Sequence, residues 1–204
     1  MKRLTGAGDL TLFIFDLDGT LVRFAVDWGE VKARIRTLLG TDEPLSPLIP
    51  SIERLATDPR LRSRIYGLVD DAEMAAARGF HPDAEIVELF RRLVSLGPRI
   101  ALVTLQGRRP AVEALTRVGL LGFFDLITSR DDVKTRKEQI AATLERLTIS
   151  PGQAIVIADK QADMAAAKNL GCLTFAVTDR PEVTGDFKAA RAVELLQVLG
   201  LEGA

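Results

Sequence analysis

The chain of 204 residues has few of the side chains that mark several protein classes. Its single cysteine, Cys172, excludes an internal disulfide and fits a reducing cytoplasm, and its apolar neighbours predict a buried position. The single histidine, His81, has no cysteine, carboxylate or second histidine directly beside it, so we expect a structural or surface residue. A net charge of −1, from 27 basic and 28 acidic residues, provides no large basic field for binding a nucleic acid.

Long apolar runs, internal repeats and low-complexity tracts are also missing. Lys2 and Arg3 open the chain, but glycine and aspartate interrupt the residues before Leu12, so we expect no signal peptide. No stretch predicts a membrane span. We therefore expect a cytoplasmic protein, a monomer or a homodimer. It should act on a small molecule, and its chain should form one domain or a domain with a modest insertion.

The most informative stretch runs from Phe13 to Leu21. Three apolar residues lead directly into Asp16, as in a strand buried on both faces, and Asp18 follows two positions later. On an extended backbone residues i and i+2 point to the same side, so both carboxylates would face one pocket. Their mutual repulsion favours a hard divalent cation between them. The plainer interpretation is a strand that ends in an ordinary Asp-Gly hairpin turn.

Residues 22–80 have the pattern of an all-helical insertion after this first strand. Asp27 is placed to cap a helix that Gly40 ends, and a short helix is predicted near 51–56. A longer helix should run from Pro59 to about Arg78. The insertion would divide the chain into a core, 1–21 with 81–204, and the inserted unit, 22–80.

After Asp83 the predicted helices and strands alternate, which is typical of a doubly wound parallel α/β sheet. The later strands are predicted at 99–103, 123–128, 154–157 and 172–177. The helices are predicted at 83–96, 110–119, 135–147, 161–169 and 188–199. Functional groups of such a sheet gather at the carboxyl ends of its strands.

Polar residues stand at these strand ends. Thr104 follows one strand, Asp159 follows another with Asp163 one helical turn later, and Lys137 lies near the start of a helix. Each has a plainer explanation, because threonine can cap a loop, lysine can be solvated, and aspartate can cap a helix. Their order along the chain and their place in the predicted sheet favour one shared site with Asp16.

This order resembles the four sequence motifs of the haloacid dehalogenase superfamily. The segment 13–21 is similar to the first motif in the Asp-x-Asp form of its phosphatases, and Val103-Thr104 resembles the second. Lys137 resembles the third motif and Asp159-x-x-x-Asp163 the fourth. The helices of 22–80 resemble the small cap of phosphoglycolate-phosphatase-like members, so the expected fold is a Rossmann-like core with a helical cap.

The resemblance implies a Mg²⁺-dependent phosphatase that forms an aspartyl-phosphate from a small phosphorylated metabolite. Asp16 would be the nucleophile and Asp18 the general acid and base, while Thr104 and Lys137 would hold the phosphoryl oxygens. The implied metal site consists of oxygen donors, namely Asp16, the main-chain carbonyl of Asp18 and Asp159, with Asp163 behind them.

Alternatives remain open beside this expectation. A phosphotransferase or a sugar-phosphate mutase would use the same phosphoaspartate, and a catalytically quiet binding or regulatory subunit could keep the same fold. A dehalogenase fits less well, because dehalogenases of the superfamily lack an aspartate at the position of Asp18. Two residues depart from the family pattern: Ala158 stands where glycine is usual, and Leu105 where asparagine is common. We expect Ala158 to have a negative φ, which alanine tolerates.

Overall fold

A computed structural model describes residues 10–200, and a six-stranded sheet lies at their centre. The strands are β1 (Leu12–Phe15), β2 (Arg99–Val103), β3 (Leu126–Thr128), β4 (Ala154–Ala158), β5 (Leu173–Val177) and β6 (Phe187–Ala189). They lie in the order β3-β2-β1-β4-β5-β6, and every neighbouring pair is parallel. The predicted parallel α/β sheet is confirmed, and the hairpin interpretation of the first strand is wrong because both neighbours of β1 run parallel to it.

The described residues also form eight α-helices. They are α1 (Trp28–Leu39), α2 (Leu48–Leu55), α3 (Pro59–Ala77), α4 (Ala84–Ser95), α5 (Arg108–Arg117), α6 (Arg136–Leu147), α7 (Gln161–Leu170) and α8 (Leu195–Leu199). Alternate residues of β1 serve opposite faces of the sheet, as a strand requires. Phe13 and Phe15 pack in one apolar cluster with α4, α5 and α8, whereas Leu12 and Ile14 pack in another with α6 and α7.

The helical insertion after the first strand is confirmed, and its helices α1 to α3 bury an apolar cluster of their own. Val31 and Ile35 of α1 meet Ile52 of α2 and Val69 of α3 there. The next helix, α4, packs in the sheet's cluster instead. The predicted start of α1 is also found, since the Asp27 side chain accepts a hydrogen bond from the Glu30 amide at 3.0 Å. The exact division at residues 22 and 80 stays a prediction.

The last predicted helix, 188–199, is wrong in its first half, where β6 runs to Ala189 and a 3₁₀ turn follows at Ala192–Glu194. The cause is a long-range contact. The Asp186 carboxylate accepts hydrogen bonds from the Thr174 amide at 3.0 Å and from its hydroxyl at 2.7 Å. These bonds hold the following residues beside β5, so Phe187 pairs with Phe175 and only α8 remains helical. The third strand is also shorter than predicted, because a 3₁₀ turn occupies 121–123.

Three further expectations concern the absences noted in the sequence. Cys172 is buried beside β5 as predicted, and this burial raises the pKa of its thiol to about 11. His81 lies exposed in the segment before α4. Within residues 10–200 no helix is both long and apolar enough to span a membrane. Lys2 and Arg3, which entered the expectation of no signal peptide, lie outside the described residues.

Candidate active site

Three carboxylates meet at the carboxyl edge of the sheet. Asp16 follows β1 and is 1% exposed, and its amide donates to the Ile157 carbonyl of β4 at 2.9 Å. Asp159 follows β4, and Asp163 lies in the first turn of α7. One carboxylate oxygen from each lies within 4.8 Å of the others. The structure therefore brings Asp16 together with two acids that lie far from it in the sequence.

Gly19 is required for this approach. Its φ is +90°, a conformation that side chains with a Cβ rarely adopt. An added Cβ would also lie 2.6 Å from Cγ of Asp159, far inside normal contact. The turn after Asp18 therefore needs glycine for its backbone and for the space that Asp159 occupies.

Asp18 lies at the same edge, but its carboxylate is tied to the chain that leads toward α1. Its Oδ1 accepts a hydrogen bond from the Phe24 amide at 2.9 Å, and the Gly19 amide donates to the Val22 carbonyl at 2.7 Å. The side chain is part-buried, unlike that of Asp16. Asp18 is thus positioned beside the acidic cluster without belonging to it.

The cation that contacts Asp16 is Arg136 and not Lys137. The Arg136 guanidinium donates to Oδ1 of Asp16 at 2.6 Å, to Oδ1 of Asp163 at 2.9 Å and to the Val103 carbonyl at 2.6 Å. Lys137 is exposed. Neighbouring residues on a helix point about 100° apart, so only one of the two can face the sheet.

The placement of Lys137 that the third motif suggested is therefore corrected by one residue. The sequence held no signal for this, because Lys137 precedes the apolar residues Ile140 and Ala141 by three and four positions, whereas Arg136 precedes the polar Gln139 by three. The helix start is set by Thr135, whose side chain accepts a hydrogen bond from the Glu138 amide. The inward face of α6 consists of Gln139, Ile140, Thr143 and Leu144, and Arg136 lies on this face.

The electrostatics of the cluster follow from its burial. Burial raises the pKa of Asp16 from 3.8 to about 6, against the opposing charge of Arg136. For Arg136, burial acts to lower the pKa, but the carboxylates of Asp16 and Asp163 outweigh it and raise the pKa above its ordinary value. Two carboxylates, those of Asp16 and Asp163, thus share one buried guanidinium.

The acidic cluster also leaves oxygens without hydrogen-bond donors. Among the described residues, the buried atoms Asp16 Oδ2, Asp159 Oδ1 and Asp163 Oδ2 accept no hydrogen bond. Buried polar atoms of folded proteins nearly always have a partner, so these three need an explanation. A hard divalent cation, which prefers carboxylate and carbonyl oxygens, fits this set of donors.

Two more cations flank Asp159. Lys160 is half-exposed, and its Nζ lies 3.6 Å from Oδ1 of Asp159. Arg180 donates to the Asp159 carbonyl at 2.6 Å and lies 3.4 Å from its Oδ2. Arg180 was not among the predicted site residues, because nothing in its local sequence links it to a residue that follows β4. A cleft of about 400 Å³ opens here, lined in part by Gly19, Arg23 and Arg180.

Thr104 lies at the same edge, directly after β2, and is fully buried. Its hydroxyl donates to the side-chain oxygen of Gln106, and its carbonyl accepts from the Gln139 amide group at 2.7 Å.

Ala158 is the last residue of β4, and Thr148 alone among the described non-glycine residues has a positive φ. The expectation for Ala158 is therefore confirmed.

Comparison with known proteins decides the family. Residues 46–177 match the model of the family described as haloacid dehalogenase-like hydrolase. The chain belongs to this family. The matched span of the hydrolase includes Thr104, Arg136 and Asp159, and Asp16 and Asp18 lie before it.

Two curated relatives of this hydrolase are phosphatases by name. Pyrophosphatase PpaX of Bacillus velezensis is 33% identical over 82% of this chain and 83% of its own. A phosphoglycolate phosphatase of Vibrio vulnificus is 24% identical over 83% of this chain and 84% of its own. A haloacid dehalogenase-like family protein of Streptococcus pneumoniae shares the fold, with a TM-score of 0.65 and 22% identity over 93% of this chain and 98% of its own. The predicted family and phosphatase class are confirmed.

Proposed function

We propose that this hydrolase is a Mg²⁺-dependent phosphatase that transfers the phosphoryl group of a small metabolite to Asp16 and then to water. The observation that carries the proposal is the state of the Asp16 carboxylate. It is buried at a strand end, Arg136 holds its Oδ1, and its Oδ2 accepts no hydrogen bond. The names of the relatives PpaX and phosphoglycolate phosphatase support a phosphorylated substrate.

The residues that would hold Mg²⁺ are Asp16, Asp159 and the main-chain carbonyl of Asp18, and Asp163 would orient Arg136 beside them. Bound there, the ion supplies positive charge that offsets the repulsion between the carboxylates and a phosphate group. The bare oxygens of Asp16 and Asp159 support this assignment.

In the first step the Asp16 carboxylate attacks phosphorus, a bond from its oxygen to phosphorus forms, and the bond to the leaving oxygen breaks. Asp18 gives that oxygen a proton. In the second step Asp18 takes a proton from a water molecule, whose oxygen attacks phosphorus. The bond between phosphorus and the Asp16 oxygen breaks, inorganic phosphate leaves, and the Asp16 carboxylate is restored. General acid–base help of this kind contributes about 10²–10⁴-fold.

Arg136 takes the part that the sequence had suggested for Lys137. Its guanidinium already fixes the Asp16 carboxylate, and its charge would stabilise the oxygens of the transferring group. The Thr104 hydroxyl would bind the same oxygens after release from Gln106. The complete set of groups argues against a catalytically quiet subunit. A cytoplasmic location and a monomeric or homodimeric state remain predictions.

The proposal is tested by incubating the purified protein with a panel of phosphorylated metabolites and Mg²⁺. We expect release of inorganic phosphate from at least one substrate, loss of release in EDTA, and loss in the Asp16→Asn variant. Phosphate release by Asp16→Asn at the rate of the unmodified protein would refute the role of Asp16. Transfer to an added alcohol in place of water would identify a phosphotransferase instead.

A further inference from the structure

A buried ion cluster joins the inserted helices to the sheet, and the proposed mechanism makes no use of it. Arg130, in the loop after β3, is 1% exposed. Its guanidinium donates to both carboxylate oxygens of Glu73 at 3.0 Å and also to Asp70. Asp70 and Glu73 belong to α3 in the insertion. We call Asp70, Glu73 and Arg130 the anchor cluster.

The anchor cluster also holds the segment 104–107, which begins with Thr104 and leads into α5. Arg130 donates to the Leu105 carbonyl at 2.7 Å, and Glu73 Oε2 accepts a hydrogen bond from the Gly107 amide at 3.0 Å. The Glu73 carboxylate thus lies at the N-terminus of α5, where the helix dipole favours negative charge. Both hydrogen bonds involve main-chain atoms, so they fix the path of the segment itself.

The fit is close. Gly107 has φ −61°, which any residue adopts, so its lack of a side chain matters for space alone. An added Cβ would lie 2.9 Å from Cγ of Asp70 and 3.1 Å from Nη2 of Arg130. The inserted helix α3 therefore approaches the main chain of the segment as nearly as glycine permits.

Stability alone does not explain the anchor cluster. Replacing a buried ion pair by apolar residues of similar volume is often neutral or stabilising, whereas removing one partner alone is strongly destabilising. Charged groups with several directed bonds do fix geometry, however, and misplacing a reacting group by about 1 Å can lower a rate by about 10²-fold.

We propose that the anchor cluster positions Thr104 for phosphoryl transfer, so that the insertion helps to complete the active site. Glu73 and Arg130 are positioning residues that act through the main chain of the 104–107 segment. This inference rests on the proposed function. A lid that only selected substrates would leave hydrolysis of a very small ester unaffected by changes in α3.

The test compares Glu73→Gln with Asp71→Asn, a matched control that removes one charge from an exposed position of the same helix. Both are assayed with Mg²⁺ and p-nitrophenyl phosphate, and their thermal midpoints are measured. We expect kcat of Glu73→Gln to fall on the order of 10²-fold, and kcat of the control to stay unchanged. Equal kcat values for the two variants would overturn the proposal.

A double variant, Glu73→Met with Arg130→Met, separates positioning from stability. It removes together the two charges that are almost fully buried and leaves that of the more exposed Asp70, so its thermal midpoint should recover much of what Glu73→Gln loses. Its kcat should stay low, because the Leu105 carbonyl and the Gly107 amide still lack their partners. Recovery of kcat together with the thermal midpoint would show that the cluster is only structural.

Amide hydrogen exchange supplies a readout that needs no activity. The Gly107 amide should be protected in the unmodified protein and in Asp71→Asn, and should exchange faster in Glu73→Gln and in the double variant. Unchanged protection would overturn the positioning role. If the unmodified protein hydrolyses no phosphate ester, the proposed function fails, and the exchange result still shows whether the anchor cluster holds the segment.

Discussion

Replacing Asp16 by asparagine should stabilise the metal-free protein at neutral pH while abolishing its chemistry. Burial raises the pKa of this carboxyl from 3.8 to about 6 in the folded state. Each pKa unit corresponds to about 1.4 kcal/mol, so the ionised group lowers the free energy of unfolding by about 3 kcal/mol. The Asn side chain carries no charge and avoids this loss.

The direction of the pH dependence follows from the raised value. Below about pH 4 both the folded and the unfolded chain hold this proton, and the group's contribution is fully present. As the pH rises through the window from 3.8 to about 6, the unfolded chain releases the proton first, and stability falls. Asp16→Asn lacks this fall, so the difference between its free energy of unfolding and that of the unmodified protein should grow across the window and then remain constant.

The assay is urea unfolding in EDTA at about pH 4 and about pH 7.5, with the unmodified protein, Asp16→Asn and Asp18→Asn. Asp18→Asn makes the same chemical change at a part-buried position in the same motif. Added Mg²⁺ should raise the midpoint of the unmodified protein more than that of Asp16→Asn, since a ligand stabilises the state that binds it. The same change in the free energy of unfolding between the two pH values for the unmodified protein and Asp16→Asn would refute the reasoning.

Three other predictions concern the remaining groups of the site. Arg136→Ala should lower kcat on the order of 10²–10³-fold in phosphate-release assays, whereas Lys137→Ala should not; the opposite order would restore Lys137. Gly19→Ala should weaken apparent Mg²⁺ affinity in a titration. Gly97→Ala, also at positive φ but with nothing within 4 Å of the added Cβ, should leave that affinity unchanged. Equal affinities for the two variants would show that Gly19 is needed only for its backbone conformation. Asp18→Asn should release a burst of nitrophenolate from p-nitrophenyl phosphate, because nitrophenolate departs without a proton, and should then turn over slowly, because water attack lacks its base. Unimpaired steady turnover would show that Asp18 is not the acid–base residue.

Local patterns predicted the parts of the molecule that local forces decide. The apolar run before Asp16 became β1, and the helix between Asp27 and Gly40 has the predicted cap and end. The motif order predicted Asp16 and Asp159 at one edge of the sheet, where the parallel neighbours β1 and β4 bring their carboxylates together. The alternation of helices and strands along the sequence therefore predicted where most of the site lies.

The failures have long-range causes. Strand β6 depends on Asp186 reaching Thr174, and a short polar segment shows no such contact in its own sequence. The exchange of Lys137 for Arg136 depends on the rotation of α6, whose buried face includes the polar residues Gln139 and Thr143. The bond between Glu73 and Arg130 joins residues 57 apart in the sequence, so no spacing rule indicates it.

The most direct test of phosphoryl transfer to Asp16 is to detect the covalent intermediate. Asp18→Asn should accumulate it, since water attack lacks its base. After rapid acid quenching during turnover of p-nitrophenyl phosphate with Mg²⁺, mass spectrometry of the digested protein should find one added phosphoryl group on the peptide that contains Asp16. An unmodified Asp16 peptide, despite a full burst of nitrophenolate, would contradict the account.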